Sequence, residues 1–194
     1  MKLGSVFLAL AVLVCASPAS AGSISVNTWY EFAVADIGSP ATGCFPDDPA
    51  GPFCIPSSGT ATSFAGAPAW TFTAGAAGAT LTVTDVFESG DVFRIFDFGA
   101  PVGLTSAFVP QVDCGDDPVP CLTNAGMSHG VFAFAAGNHS ITITPTQGGF
   151  GAAYFLLQGD AGGVTPSPVP EPATFSLLAV GLAAAVRRMR SHRS

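Results

Sequence analysis

Short runs in which apolar and polar residues alternate recur along the middle of the chain, each bounded by Gly, Pro or Asp clusters. Thr80-Leu81-Thr82-Val83-Thr84 sets threonines on one face and Leu81 and Val83 on the other, and Ser140-Ile141-Thr142-Ile143-Thr144 repeats the arrangement. Successive strand residues point to opposite faces, so each run reads as a strand with one buried and one solvated face. The same pattern predicts strands over residues 23–26, 29–35, 69–73, 80–86, 91–98, 130–135, 139–144 and 152–158. No stretch between them carries a capped 3.6-residue period, so helix is expected to be close to nil. About eight short strands with turn signals between them predict an all-β fold, an antiparallel jelly-roll-like β-sandwich over residues 22–163. Trp29 and Trp70 have apolar neighbours at two-residue spacing, which assigns them to its core.

The two ends follow different patterns. Lys2 begins a positive n-region, residues 3–14 are an apolar stretch, and Ala19-Ser20-Ala21 offers small residues to signal peptidase, so residues 1–21 read as a secretory signal peptide and the mature chain starts at Gly22. Cys15 follows Val14, where a lipoprotein signal needs Gly, Ala or Ser, which argues against acylation there. At the other end a Pro-rich linker, residues 164–170, leads into Val169-Pro170-Glu171-Pro172, an apolar run over residues 173–186, and Arg187, Arg188, Arg190 and Arg193. As a helix that run spans about 21 Å, short of the roughly 30 Å of a bilayer core. Its terminal position and positive flank nevertheless favour a single transmembrane helix with a stop-transfer cluster on the cytoplasmic side. In this order the acid framed by prolines, the apolar run and the arginines, residues 169–194, resemble the PEP-CTERM sorting tail of Gram-negative bacteria. That resemblance implies processing by exosortase near Pro170-Glu171-Pro172, a transient inner-membrane anchor, and delivery to the cell surface or extracellular space.

Charge narrows the function. All thirteen acids lie between Glu31 and Glu171, where Arg94 is the only lysine or arginine. A surface of that sign repels phosphate backbones and anionic lipids, because binding them requires Lys and Arg, and nucleic-acid functions are excluded. Four cysteines remain after the signal, Cys44, Cys54, Cys114 and Cys121. An even number in an exported chain reads as disulfides, and of the three possible pairings the local one, Cys44 with Cys54 and Cys114 with Cys121, closes two Pro- and Asp-rich loops.

Candidate chemistry is sparse. Gly126-Met127-Ser128-His129-Gly130 matches G-x-S-x-G, but an alternating strand rather than a helix follows it and no acid lies between Ser128 and His139, so a glycine-flanked turn is the expected reading. Asp85, Glu88, Asp91 and Asp97 straddle a Glu88-Ser89-Gly90 turn, Asp113, Asp116 and Asp117 share a loop with Cys114, and Asp47 and Asp48 lie between the first two cysteines. Calcium takes several hard oxygens from such loops, so these acids are the candidate metal ligands, weighed against a solvated surface that keeps the domain soluble. Arg94, between Asp91 and Asp97, is expected to be salt-bridged.

The alternating series from Leu81 to Gly99 and from Gly130 to Ile143 resembles secreted jelly-roll modules of the bacterial pre-peptidase C-terminal type, which implies an accessory module. The reading is therefore a non-catalytic, surface-sorted β-sandwich of the envelope or extracellular matrix, without cofactor. Its expected partners are signal peptidase, exosortase and extracellular polysaccharide. The alternatives are a calcium-dependent carbohydrate-binding or adhesive module and a small secreted hydrolase.

Overall fold

The computed structural model describes residues 22–45 and 54–159. The signal peptide, the linker, the sorting motif, the apolar run and its arginines, and Asp47 and Asp48, lie outside the described residues. Among the described residues ten strands and one short helix follow in order: β1 (Gly22–Ser23), β2 (Trp29–Val34), β3 (Thr62–Phe64), β4 (Trp70–Ala74), β5 (Ala79–Asp85), β6 (Val92–Asp97), β7 (Ala100–Leu104), α1 (Pro118–Thr123), β8 (His129–Phe134), β9 (Gly137–Gln147) and β10 (Gly151–Gly159). They form two five-stranded sheets, in the orders β1-β4-β9-β6-β7 and β3-β2-β10-β5-β8. Among the described residues no helix is long and apolar enough to cross a membrane.

Each predicted strand has a counterpart, although the first shrinks to Gly22–Ser23. The fold is mostly β, but its sheets are mixed rather than purely antiparallel: β1 pairs parallel with β4, and β3 pairs parallel with β2. A parallel partner requires a long crossover, which residues 35–61 provide between β2 and β3. Strand β7 escaped the sequence pattern because Ala-Pro-Val-Gly-Leu carries a proline and a glycine, tolerated here because β7 is an edge strand. A two-residue turn joins it to β6, with Phe98 (φ 47°) and Gly99 (φ 79°) both left-handed as a type I′ hairpin requires. Helix α1 corrects the expectation of no helix. At six residues it is too short to show a period, and it is specified instead by Asp117, which accepts the Val119 N–H, and by Pro118 at the first position.

Inward-facing residues of the two sheets meet in an aromatic-rich core. Phe32 lies at ring-centroid distances of 5.7 Å from Trp70, 5.6 Å from Phe93 and 6.0 Å from Phe155, and Trp70 lies 5.0 Å from Phe155. The one polar atom of Trp70, Nε1–H, donates to the Gly66 carbonyl at 2.8 Å, so the indole is buried without a stranded donor. Ile95, Ile141, Ile143, Leu81, Val83 and Leu157 fill the remaining space.

A second apolar cluster lies on the outside of the β2-β10-β5 face. Trp29, Val86, Cys121, Met127 and Tyr154 are buried there, with Val112, Leu122 and Leu156 packed against them. The loop carrying α1 thus roofs this sheet, and the threonines of β5 expected to face solvent do not: Thr82 is 4% exposed and Thr84 is fully buried. The same pattern on β9 keeps Thr142 and Thr144 half-exposed, because none of the described loops covers the other sheet there.

Phe32 touches three aromatic rings and has no access to solvent. Phe32→Ala is expected to lower stability by about 3–5 kcal/mol through lost burial and a residual cavity, measured by urea denaturation. A loss under about 1 kcal/mol would mean that the sheets close over the vacancy.

Candidate functional site

Three buried carboxyl groups distinguish this domain, each held by backbone N–H donors. Asp85 ends β5 and closes the turn into β6, where its Oδ1 accepts the Val86 N–H at 2.9 Å and its Oδ2 accepts those of Gly90 and Asp91 at 3.1 Å. Burial outweighs those donors and pushes its pKa up to about 7, with neighbouring Asp91 adding to the rise. Asp91 Oδ1 accepts the Gly149 N–H at 2.7 Å and so fastens the glycine-rich β9–β10 loop to this turn. Burial raises its pKa to about 6. Between the turn and the loop lies a cavity of about 390 Å³, lined by Phe87, Glu88, Asp91, Gly148, Phe150 and Ala152. Phe150 is 92% exposed at its rim, on a loop whose Gly148, Gly149 and Gly151 all take positive φ.

Of the acids singled out in the sequence, the structure brings two groups together. Glu88 and Asp113 face each other across a short bridge in which Phe87 N–H donates to the Gly115 carbonyl and Ser89 N–H to that of Val112, both at 2.7 Å. Asp113 accepts the Gly115 N–H within its own turn, while Asp116 accepts both the N–H and the hydroxyl of Ser58. Asp117 caps α1 and accepts the Thr60 N–H, so this loop holds residues 58–60 as well. Its slight burial works against ionisation, yet bonds from Thr60 and Val119 bring its pKa below the ordinary carboxylate range. Asp97 stands apart at the end of β6, where it accepts from His139 Nδ1 at 2.8 Å and from the Ser140 N–H at 2.9 Å.

That pairing corrects the expectation for Arg94. Two-residue periodicity puts Arg94 on the exposed face of β6 and Asp97 on the other, and among the described residues the carboxylate of Asp97 is paired with His139 rather than with arginine. Ser128 of the G-x-S-x-G match is fully buried. Its hydroxyl donates to the Ser106 carbonyl and lies 2.6 Å from that of Thr105, tying β8 to the segment after β7.

Glu31 is the residue the sequence reading passed over. It is fully buried beneath the roof, its Oε1 accepts the Ile55 N–H at 2.8 Å, and the Tyr154 hydroxyl donates to its Oε2 at 3.3 Å. Burial carries its pKa to about 7 against the two hydrogen bonds, and that of Tyr154 rises as well, from burial and the nearby carboxylate. The signal was present in Trp29-Tyr30-Glu31-Phe32-Ala33-Val34: a strand apolar on both faces has nowhere to expose its acid. The cysteines pair locally, Cys44 with Cys54 and Cys114 with Cys121, at Cα separations of 5.8 and 5.2 Å. Both sulfurs of the first bridge lie close to Glu31, but being bonded to each other they do not form a metal-binding set with it.

These features define a disulfide-stapled, mostly β protein of two packed sheets built for an oxidising compartment. The family model for the PEP-CTERM protein-sorting motif matches residues 168–191. The chain therefore bears the signal of an exported protein that is held at the membrane and sorted by exosortase. No curated protein and no solved structure matches it.

Unfolded, Glu31, Asp85 and Asp91 titrate near 4.5, 3.8 and 3.8, and folded at about 7, 7 and 6. Between these values the native state binds more protons than the unfolded chain, so stability is greatest below about pH 4 on their account and falls as pH rises through about 7. The melting temperature at matched ionic strength is expected to be lower at pH 8 than at pH 5. A melting temperature that rises over this interval would contradict the assignment.

Proposed function

We propose that this chain is a non-catalytic jelly-roll domain of the cell envelope or extracellular matrix, delivered there by exosortase. The observation that carries the reading is the sorting motif at residues 168–191 behind a domain with two disulfides. The strand order supports a jelly roll. With the two parallel edge strands set aside, the sheets read β4-β9-β6-β7 and β2-β10-β5-β8, every remaining pair antiparallel, and successive strands alternate between sheets except at the β6–β7 hairpin. The engaged hydroxyl of Ser128 and the use of His139 to hold Asp97 support a structural part for both groups. Residues 173–186 would span the inner membrane until cleavage, with Arg187, Arg188, Arg190 and Arg193 on the cytoplasmic side, and extracellular polysaccharide is the surrounding partner. Intact-mass measurement on surface-extracted protein tests this: the mature form is expected to start at Gly22 and to lack the arginines, and deletion of exosortase should leave the whole tail attached. Arginines retained on the surface form would overturn it.

The end cavity favours a second reading, a carbohydrate-binding or adhesive module. Asp91 and Glu88 offer acceptors to hydroxyls, exposed Phe150 offers a ring to the apolar face of a sugar, and among the described residues no lysine or arginine lines the space to attract anions. A glycan array with and without calcium tests this reading. Binding should fall about five- to twelvefold in Phe150→Ser, the loss of one stacked ring at roughly 1–1.5 kcal/mol. Equal signals for native protein and variant would remove it, and a signal unaffected by calcium would remove the metal from it.

A further inference from the structure

Glu31 and the Cys44–Cys54 bridge form a cluster that neither reading above employs. One carboxylate oxygen of Glu31 and both sulfurs lie within 4.8 Å of one another. Cys44 is 3% exposed whereas Cys54 is half-buried, so Cys54 is the more accessible half of the bridge. The bridge, Ile55, Glu31 and Tyr154 together fasten the residues after Cys54 over β2 and β10. Among the described residues, the ionisable group that acts on Glu31 besides Tyr154 is Asp116 of the roof, whose charge disfavours its ionisation. Cys114 and Cys121 share no comparable grouping with an acid or histidine among the described residues.

We propose that Cys44–Cys54 is a thiol–disulfide exchange site for a dithiol reductant, with Glu31 as the proton donor to the departing Cys44 sulfur. A thiolate of the reductant attacks the Cys54 sulfur, and the electron pair of the S–S bond leaves with the Cys44 sulfur. That thiolate forms in a buried space where an unpaired charge is costly, and it takes the proton of the Glu31 carboxyl. The new carboxylate keeps the Ile55 N–H and the Tyr154 O–H as donors. The second thiol of the reductant then attacks the mixed disulfide, closes its own disulfide and releases Cys54 as a thiolate that is protonated by water. The dithiol loses two electrons and the bridge gains them. Afterwards, among the described residues, hydrogen bonds still hold the segment from Cys54 to Thr60 over the sheet, those of Ile55 to Glu31 and Tyr154, Ser58 to Asp116 and Thr60 to Asp117.

The mechanism predicts a pH signature. Ordinary exchange follows the thiolate fraction of the reductant, so a rate divided by that fraction is independent of pH. Here the normalised rate should fall as Glu31 loses its proton. The test is reduction of the oxidised full chain by dithiothreitol, with each bridge followed by alkylation and peptide mass. For Cys44–Cys54 the normalised rate is expected to drop about tenfold between pH 6 and pH 8, in step with one ionisation at about 7. It should be flat in Glu31→Gln and flat for Cys114–Cys121 in both proteins. A flat native profile, or the same fall in Glu31→Gln, would overturn the proposal. Should Glu31→Gln fail to fold, Tyr154→Phe decides: it keeps the acid but removes a donor to its carboxylate, so the midpoint of the fall moves to higher pH, and an unchanged midpoint overturns the assignment.

Discussion

Strand β10 has no polar face. Its central run, Ala152-Ala153-Tyr154-Phe155-Leu156-Leu157, places Phe155 and Leu157 in the core between the sheets and Tyr154 and Leu156 on the opposite side, and both sides must be removed from water. The inner side is met by the second sheet. Among the described residues no third sheet meets the outer side, and loops cover it: the segment after Cys54 and the stretch from Asp113 through α1. Much of what is unusual in the domain follows from roofing a sheet with irregular chain.

Loops roof poorly, because each ordered residue loses about 1–2 kcal/mol of backbone freedom and few apolar side chains offset it. Two disulfides shorten the deficit, each stabilising by roughly 2–3 kcal/mol for loops of this size. Carboxylates supply the rest of the fastening. Asp116 and Asp117 hold Ser58 and Thr60, and Glu31 holds Ile55, so backbone groups that a loop leaves without ladder partners find acceptors. The cost falls on the deepest of these acids, Glu31, which must satisfy its charge in a space shared with a phenol and a disulfide.

Much of the framework was legible in the chain. Two-residue alternation located the strands that carry the core, and the uninterrupted apolar run of β10 already implied burial on both faces. What the pattern could not convey is which faces acquire a roof. Thr82 and Thr84 read like Thr142 and Thr144, and only the position of a distant loop separates their fates. Arg94 and its acidic neighbours in sequence looked like partners until the alternation of β6 set them on opposite faces. Pairing across sheets and the parallel edges depend on crossovers whose path no local pattern records. The acids resisted in the same way: Glu88 and Asp113 meet through a bridge between segments about 25 residues apart, and the role of Glu31 depends on cysteines in another loop.

The scarcity of basic residues has a consequence outside folding. Proteases of trypsin-like specificity cut after Lys or Arg, and between the signal peptide and the arginine tail they find one such residue, Arg94. Its side chain reaches solvent, but its backbone lies in the middle of β6, paired with β9 on one side and β7 on the other. Cleavage requires that stretch to leave two ladders and enter a protease cleft in extended form, an opening that approaches global unfolding. Once freed of its tail, the folded domain presents such enzymes with a single bond that they reach only by unmaking the sheet.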